Sequence, residues 1–391
     1  MGKKYLFTLT TLFLILGGFQ SLKSDEISGY STYPRIKAGA DNTVTAMAKG
    51  GVNHEENILW SYVLQKPKAE WLKIHFADFQ IGRQDFLELK DRNGTLVATI
   101  KGCDVEEDQT SIYKVIKKEG KSNFWIHAIE GNTVTIELKS KNKRKANWGF
   151  TIDEVGVGTR PLNGTSVVQD IIGTDNLQQI YCYYNQQPYL RGRSVGWMHF
   201  KDNGVWYNGK IGFLLSCNNT NHFLTHSDHM GDQLFVESLE VRFDYFYTSC
   251  SGQTSIPYAA YSGDHLIDYN PGQGARYSLL TLKGNPQSTY TPLIPSNQAP
   301  YAWQPIYVLQ FPAQTPLKVA FGFVYYVGWW FYHFADVEPN NHIGAPILED
   351  NPQSTNKVIG IADIGPGTFS NISVKMSDIY AKVAGYLQCQ Q

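Results

Sequence analysis

At 391 residues the chain is long for one domain, and two are expected. Its 34 Lys+Arg against 35 Asp+Glu leave a net charge of -1, which argues against nucleic acid or a strongly anionic surface as the partner. The 24 Tyr, 20 Phe and 9 Trp suit β-rich structure better than a helical bundle, and the apolar fraction is that of an ordinary folded domain.

Residues 1–24 read as a signal peptide. Lys3 and Lys4 give a basic start, Tyr5 to Phe19 a mostly apolar stretch, and Ser21 to Ser24 a small or polar end. Charge follows soon after at Lys23, Asp25 and Glu26, so the stretch is short for a membrane span. Val319 to Phe334 is also apolar, but it is aromatic and interrupted by His333. No membrane span is expected, and the chain reads as a soluble, exported protein.

The first half alternates in the manner of half-buried strands. Leu72, Ile74 and Phe76 face one way and the polar residues between them the other; Val134, Ile136 and Leu138 alternate with Thr133, Thr135 and Glu137. Asp91-Arg92-Asn93-Gly94 and Glu130-Gly131-Asn132 are turn signals between such runs, and the pattern is that of a β-sandwich. Lys139, Lys141, Lys143, Arg144 and Lys145 form a basic run, read as a solvated hairpin end before the last strand.

The order of features over residues 45–157 resembles a CUB-type domain. Trp60 precedes a Lys-Pro-Lys-Ala turn and the strand Leu72–Phe76. The run from Gly82 to Gly94 follows, and Trp148-Gly149-Phe150-Thr151-Ile152-Asp153 closes the segment. The paired cysteines of extracellular CUB domains are absent, since this stretch holds only Cys103. The resemblance implies a protein- or glycan-binding module. Some of the family bind calcium through clustered acids, a role that would fall to Asp85 and Asp91; solvated acids are the plainer reading.

A Gly-, Pro- and Thr-containing linker over 158–167 separates this unit from the remainder, 168–391. Strand-like runs continue to about residue 374. Ile379, Val383 and Leu387 then repeat every four residues after a candidate N-cap at Ser377, which describes an amphipathic terminal helix.

Residues 168–389 resemble secreted trypsin-fold peptidases. The likeness rests on Ile172-Gly173-Thr174-Asp175-Asn176, on Arg193-Ser194-Val195-Gly196 and on Ile211-Gly212-Phe213-Leu214-Leu215-Ser216, taken in order. The family places its catalytic histidine in Leu-Thr-Ala/Asn-X-His-Cys. Here Leu224-Thr225-His226-Ser227-Asp228-His229 puts Asp228 at that place, or His229 after a slip of one. Lys210 and His229 stand where the neighbouring paired cysteines would be. The orienting acid of Asp-Phe/Tyr-Ser/Thr-Leu-Leu becomes Arg276, a permanent cation. Matching Gly344-Ala345-Pro346 to the end of Gly-X-Ser-Gly-Ser/Ala-Pro puts Ile343 at the serine, and a slip of one gives His342. Isoleucine has no nucleophilic atom, and its β-branch resists the turn that forms an oxyanion hole.

Three degenerate positions, Asp228, Arg276 and Ile343, therefore imply an all-β protein without serine-protease chemistry. Its expected architecture is an N-terminal CUB-like β-sandwich followed by a trypsin-like double β-barrel with a short C-terminal helix. No cofactor or metal is expected. The expected role is binding to an extracellular protein partner or assembly with one. Tyr181-Cys182-Tyr183-Tyr184 and Trp329-Trp330-Phe331-Tyr332 are candidate anchors, the second read as half core. One rival is a hydrolase with a relocated or metal-dependent site around His226, Asp228 and His229, beside His222 and within reach of His199, His333 and His342. Another is a structural role in a coat or matrix. Five cysteines, an odd number, would permit a disulfide-linked assembly there, with pairing left open. Asn93, Asn163, Asn218 and Asn371 head sequons and are glycosylation candidates in a eukaryote. Gly272-Gln273-Gly274 is read as a turn.

Overall fold

The computed structural model describes residues 27–39, 57–82, 85–101, 122–140, 148–162, 176–228, 230–252, 258–272, 274–337, 342–351, 357–363 and 371–389. The signal stretch, Cys103, Asn163, His229 and most of the basic run lie outside them.

The N-terminal part is a β-sandwich. Its strands are β1 (Ile27–Thr32), β2 (Ile36–Gly39), β3 (Asn57–Gln65), β4 (Trp71–Gln80), β5 (Asp85–Lys90), β6 (Leu96–Lys101), β7 (Ser122–Trp125), β8 (Ile129–Glu130), β9 (Thr133–Ser140) and β10 (Gly149–Gly158). One layer runs β3-β9-β5-β6; the other has β10 and β4 at its centre, with β2 beside β10 and β7 and β8 beside β4. Leu72, Ile74, Phe76, Val134, Ile136 and Leu138 all turn into the core between the layers, as their alternation predicts. Lys73 is the exception to the expected solvated face, because that face of β4 is covered by the next part of the molecule.

Twelve further strands make two barrels. β11 (Gln178–Gln179) leads in, and α1 (Gln187–Gly192) follows it. The first barrel takes β12 (Val195–Asp202), β13 (Val205–Leu214), β14 (Phe223–Thr225), β15 (Glu240–Phe243), β16 (Ala259–Asn270) and β17 (Tyr277–Leu282). The helix α2 (Gln233–Ser238) precedes β15. Pairing runs β12-β15-β16-β17-β14-β13 and closes from β13 back to β12. The second takes β18 (Pro305–Gln310), β19 (Lys318–Val327), β20 (Phe331–His333), β21 (Pro346–Glu349), β22 (Val358–Ala362) and β23 (Asn371–Lys375). It closes in the order β19-β18-β21-β22-β23-β20. Closure removes the exposed sheet edges that open sheets must protect. One continuous apolar core joins the barrels, from Trp197, Ile211 and Leu279 on one side to Val308, Ile347 and Ile361 on the other. The chain thus has the trypsin-like double-barrel architecture.

The terminal helix α3 (Met376–Val383) buries Ile379 and Val383, and Leu387 just beyond it. It begins two residues earlier than expected: Lys375, not Ser377, is the N-cap residue. Disulfides join Cys182 to Cys250 and Cys217 to Cys389. Among the described residues no helix is long and apolar enough to cross a membrane.

β1 joins the sandwich to the first barrel. It pairs antiparallel with β10 on one side and β13 on the other, so one sheet runs through both parts. Trp71, Trp125 and Trp206 pack together at this joint with Ala128 and Leu162. Gly156 and Gly158 on β10 make room for the indoles: a β-carbon at Gly158 would lie 2.2 Å from Trp71.

Candidate functional site

The cleft between the barrels is where a trypsin-type fold would do its chemistry. On the first-barrel side, the Thr225 hydroxyl donates to the Ile211 carbonyl at 2.6 Å, fixing the end of β14. The turn that follows sends His226 inward, with its side chain only 2 % exposed. Its Nδ1 accepts the backbone amide of Asp228 at 3.2 Å, and its Nε2 lies 3.1 Å from Asp363 Oδ1. Asp228 itself turns to Lys210, 3.6 Å away, whose ammonium is almost fully enclosed.

Asp363 follows β22 in the second barrel and is the residue that the sequence motifs do not flag. Arg276 Nη1 reaches the same Oδ1 at 3.2 Å. One carboxylate therefore binds a histidine and a guanidinium from the opposite barrel. Burial would raise its pKa, but contact with His226, together with the charges of His226, Arg276 and His342, outweighs it and holds the carboxyl below its usual range.

The third expected position lies on the second-barrel side. Ile343 is buried, and its carbonyl accepts the Ile211 amide at 3.2 Å. Gly344 donates to the Ala362 carbonyl at 2.9 Å, and Ala345 to His342 at 2.8 Å. Gly344 has φ +91, and a β-carbon there would meet the Ile211 carbonyl oxygen at 2.0 Å, so only glycine fits. Ile343 places an aliphatic side chain on this turn. His342 and His333 are both enclosed behind it. Burial, aided by the charge of His342, pushes His333 down to about 3.

Chemically, a general base must present one ring nitrogen to a nucleophile while the other is held by an orienting group. His226 has its two nitrogens on an amide and a carboxylate. Asp228 is held against a buried cation, and Arg276 is the wrong charge to orient an imidazolium. Two nearby hydroxyls are committed, Thr225 to the Ile211 carbonyl and Ser278 to the Met230 carbonyl at 2.7 Å, while the buried Ser227 hydroxyl makes no hydrogen bond.

Several expected neighbours are not brought together. His222 has a separate partner, bonding Thr220 Oγ1 through Nδ1 at 2.7 Å; burial lowers its pKa. His199 lies in the sandwich–barrel joint, between Trp71 and Trp206, not in the cleft. Of the proposed metal group, His226 and Asp228 face different partners, and His229 lies outside the described residues. Among the described residues, no three His, Cys, Asp or Glu side chains converge to hold a metal ion.

The calcium grouping in the sandwich also separates. Asp85 is buried and accepts the Gly82 amide at 3.0 Å, whereas Asp91 closes an exposed turn on the amides of Asn93 and Thr95. A whole strand puts them about 20 Å apart. Lys139 belongs to β9 rather than to a solvated hairpin end. It is buried against Glu88 at 3.0 Å and Glu137 at 3.7 Å, offsetting two carboxylates that the strand register sets opposite each other.

Aromatic residues are exposed over much of the second barrel. Trp303 stacks on Phe323, Phe323 packs on Phe334, and Phe334 on Tyr325, with centroids 5.0–5.3 Å apart. Of the expected anchors, Trp329 is 76 % exposed and Tyr184 is exposed, while Phe331 is core. Gly272-Gln273-Gly274, read as a turn, falls between β16 and β17, with Gln273 outside the described residues.

No protein-family model matches the chain, and no curated protein matches it. Among solved structures it is similar to the Rv3671c protease from M. tuberculosis in its active form. That alignment has 13% identity over 56% of this chain and 93% of that one, at a TM-score of 0.39. The inactive Ser343Ala mutant of the same protease aligns at 14% identity over 56% of this chain and 99% of that one, with a TM-score of 0.36. A serine endoprotease from Yersinia pestis aligns at 14% identity over 52% and 66%, with a TM-score of 0.39. Likeness of this degree carries no residue role across to this chain.

Proposed function

We infer that the protein is a secreted, non-catalytic serine protease homologue acting as an extracellular binding or assembly protein, with a CUB-like sandwich fused to a degenerate trypsin-like domain. The observation that carries this reading is the double engagement of His226 by Asp228 and Asp363. Both ring nitrogens serve structure, and the neighbouring turn carries Ile343 where the family carries serine. Fold alone does not define function, so the argument rests on the site. Two disulfides are compatible with an oxidising compartment, which is where export would take the chain. The exposed row Trp303, Phe334 and Tyr325 offers large, rigid contact surface of the kind that anchors protein partners. A relocated hydrolase site is the weaker reading, because His226 and Asp228 each face a different charged partner.

The test is to expose the purified protein to a broad fluorophosphonate probe and, separately, to a peptide library read by mass spectrometry. Neither covalent labelling nor time-dependent cleavage is expected. Stoichiometric labelling, or cleavage that survives removal of contaminating proteases by a second purification, would overturn the reading.

A further inference from the structure

The joint between the sandwich and the first barrel contains charges where an interface would ordinarily be apolar. Glu240, on β15, is fully buried. Its Oε2 accepts the Ala128 amide at 2.8 Å and lies 3.3 Å from Lys73 Nζ, which crosses from β4. Its Oε1 takes Arg242 Nη2 at 2.7 Å and Nε at 2.8 Å. Lys73 also donates to the Ser238 carbonyl at 2.9 Å and lies over the Trp206 ring. Two cations thus share one enclosed carboxylate, with each part of the molecule supplying an essential contact.

Two histidines complete the joint. His199 is wholly enclosed, its ring centroid 4.6 Å from that of Trp71 and 5.0 Å from that of Trp206. His127 sits at the rim, with Nε2 3.1 Å from Ser262 Oγ of the barrel. We propose that this joint is an acid-released latch, closed while His127 and His199 are neutral and opened when protons add cations to a site that already holds Lys73 and Arg242 against Glu240.

The groups facing the two rings bear this out in sign. Lys73 comes from β4, Glu240 and Arg242 from β15 and Lys283 from the end of β17, while Glu130 of β8 acts on Arg242. Further out, Lys201 is paired with Glu154 at 2.7 Å and His75 with Asp153 at 2.7 Å. Burial takes His127 from 6.5 down to about 4; Lys73, Arg242 and Lys283 push the same way, and Glu240 opposes them. Burial and Lys73 likewise hold His199 well below its ordinary value. A base whose pKa is depressed in the closed form and ordinary in the open form favours closure above 6.5. That preference weakens as pH falls, by up to about tenfold in the opening equilibrium per histidine per pH unit, until the closed form itself binds the proton. The window therefore runs from 6.5 towards about 4.

Trp71, Trp125 and Trp206 report on the joint directly. The experiment is a reversible titration of the full chain from pH 7.5 to 4, followed by tryptophan fluorescence, small-angle scattering and near-ultraviolet circular dichroism. The comparison is with His127→Gln, which can keep the bond to Ser262, and with His199→Phe, which keeps a ring between the indoles. The wild type is expected to expand within the window while its aromatic dichroism largely persists. Each variant should lower the midpoint, and the double variant should lower it by about one pH unit or more. An unchanged radius down to pH 4, the same midpoint in a folded His127→Gln protein, or expansion only together with loss of all aromatic dichroism would overturn the proposal. His127→Gln sits at the rim, so it remains decisive if His199→Phe fails to fold.

Discussion

Asp363 connects the barrels through side chains that lie 87 and 137 positions away in the chain. Removing one partner of a buried charge pair leaves the others desolvated and uncompensated, which is costlier than the pair's net contribution. Arg276 is partly exposed and so recovers some hydration. Asp363→Asn is accordingly expected to lower stability by about 2 kcal/mol, read as a shift in urea midpoint at unchanged slope. The pH dependence has a definite sign. A carboxyl depressed in the folded state contributes its stability above the ordinary value of 3.8 and loses it as pH falls through the lower folded value. Wild-type stability should fall across that range more steeply than that of the asparagine variant. At Gly344 the obstacle is steric. With φ +91 and the Ile211 carbonyl at 2.0 Å from any β-carbon, Gly344→Ala should cost about 2 kcal/mol or more in the same assay.

At the scale of elements, sequence periodicity reports most clearly where only one face of a strand is covered. Val134, Ile136 and Leu138 of β9 satisfy that condition, and their burial follows from the alternation. On β4 the same pattern conceals Lys73, because the outward face meets the barrel and the pairing with Glu240 joins residues remote in sequence. The repeat of Ile379, Val383 and Leu387 likewise marks α3, while its starting residue depends on a turn that periodicity does not encode. Two predictions belong here. The Cys217–Cys389 bond ties the C-terminal segment to the turn after β13 across 172 positions, so replacing both cysteines with serine should cost about 2–5 kcal/mol, measured by chemical denaturation. Calcium should leave the melting temperature of the chain unchanged, since Asp85 and Asp91 stand at opposite ends of β5; a rise at millimolar calcium would point to another set of oxygen ligands.

For the whole molecule, the consequence of β1 is cooperativity. A strand bonded to β10 and to β13, with Trp71 and Trp206 packed beside it, couples sandwich and barrel more tightly than a tether would. At pH 7.5 calorimetry should show one unfolding transition, whereas two well-separated transitions would mean that the parts unfold independently. The double barrel was legible because family-like segments occur in order along the second half. At the site, Asp228, Arg276 and Ile343 drew attention in the sequence because the family motifs expect other groups at those places. What those residues contact was not legible. Asp363 sits after an apolar strand with no motif around it, and only barrel closure brings it beside His226 and Arg276.

The most direct measurement is the tautomer of His226, read from its ring nitrogen chemical shifts in selectively labelled protein. The geometry predicts a proton on Nε2, facing Asp363, and an acceptor Nδ1 bound to the Asp228 amide. A ring protonated on Nδ1 with a bare Nε2 would leave a nitrogen available as a base and contradict the account.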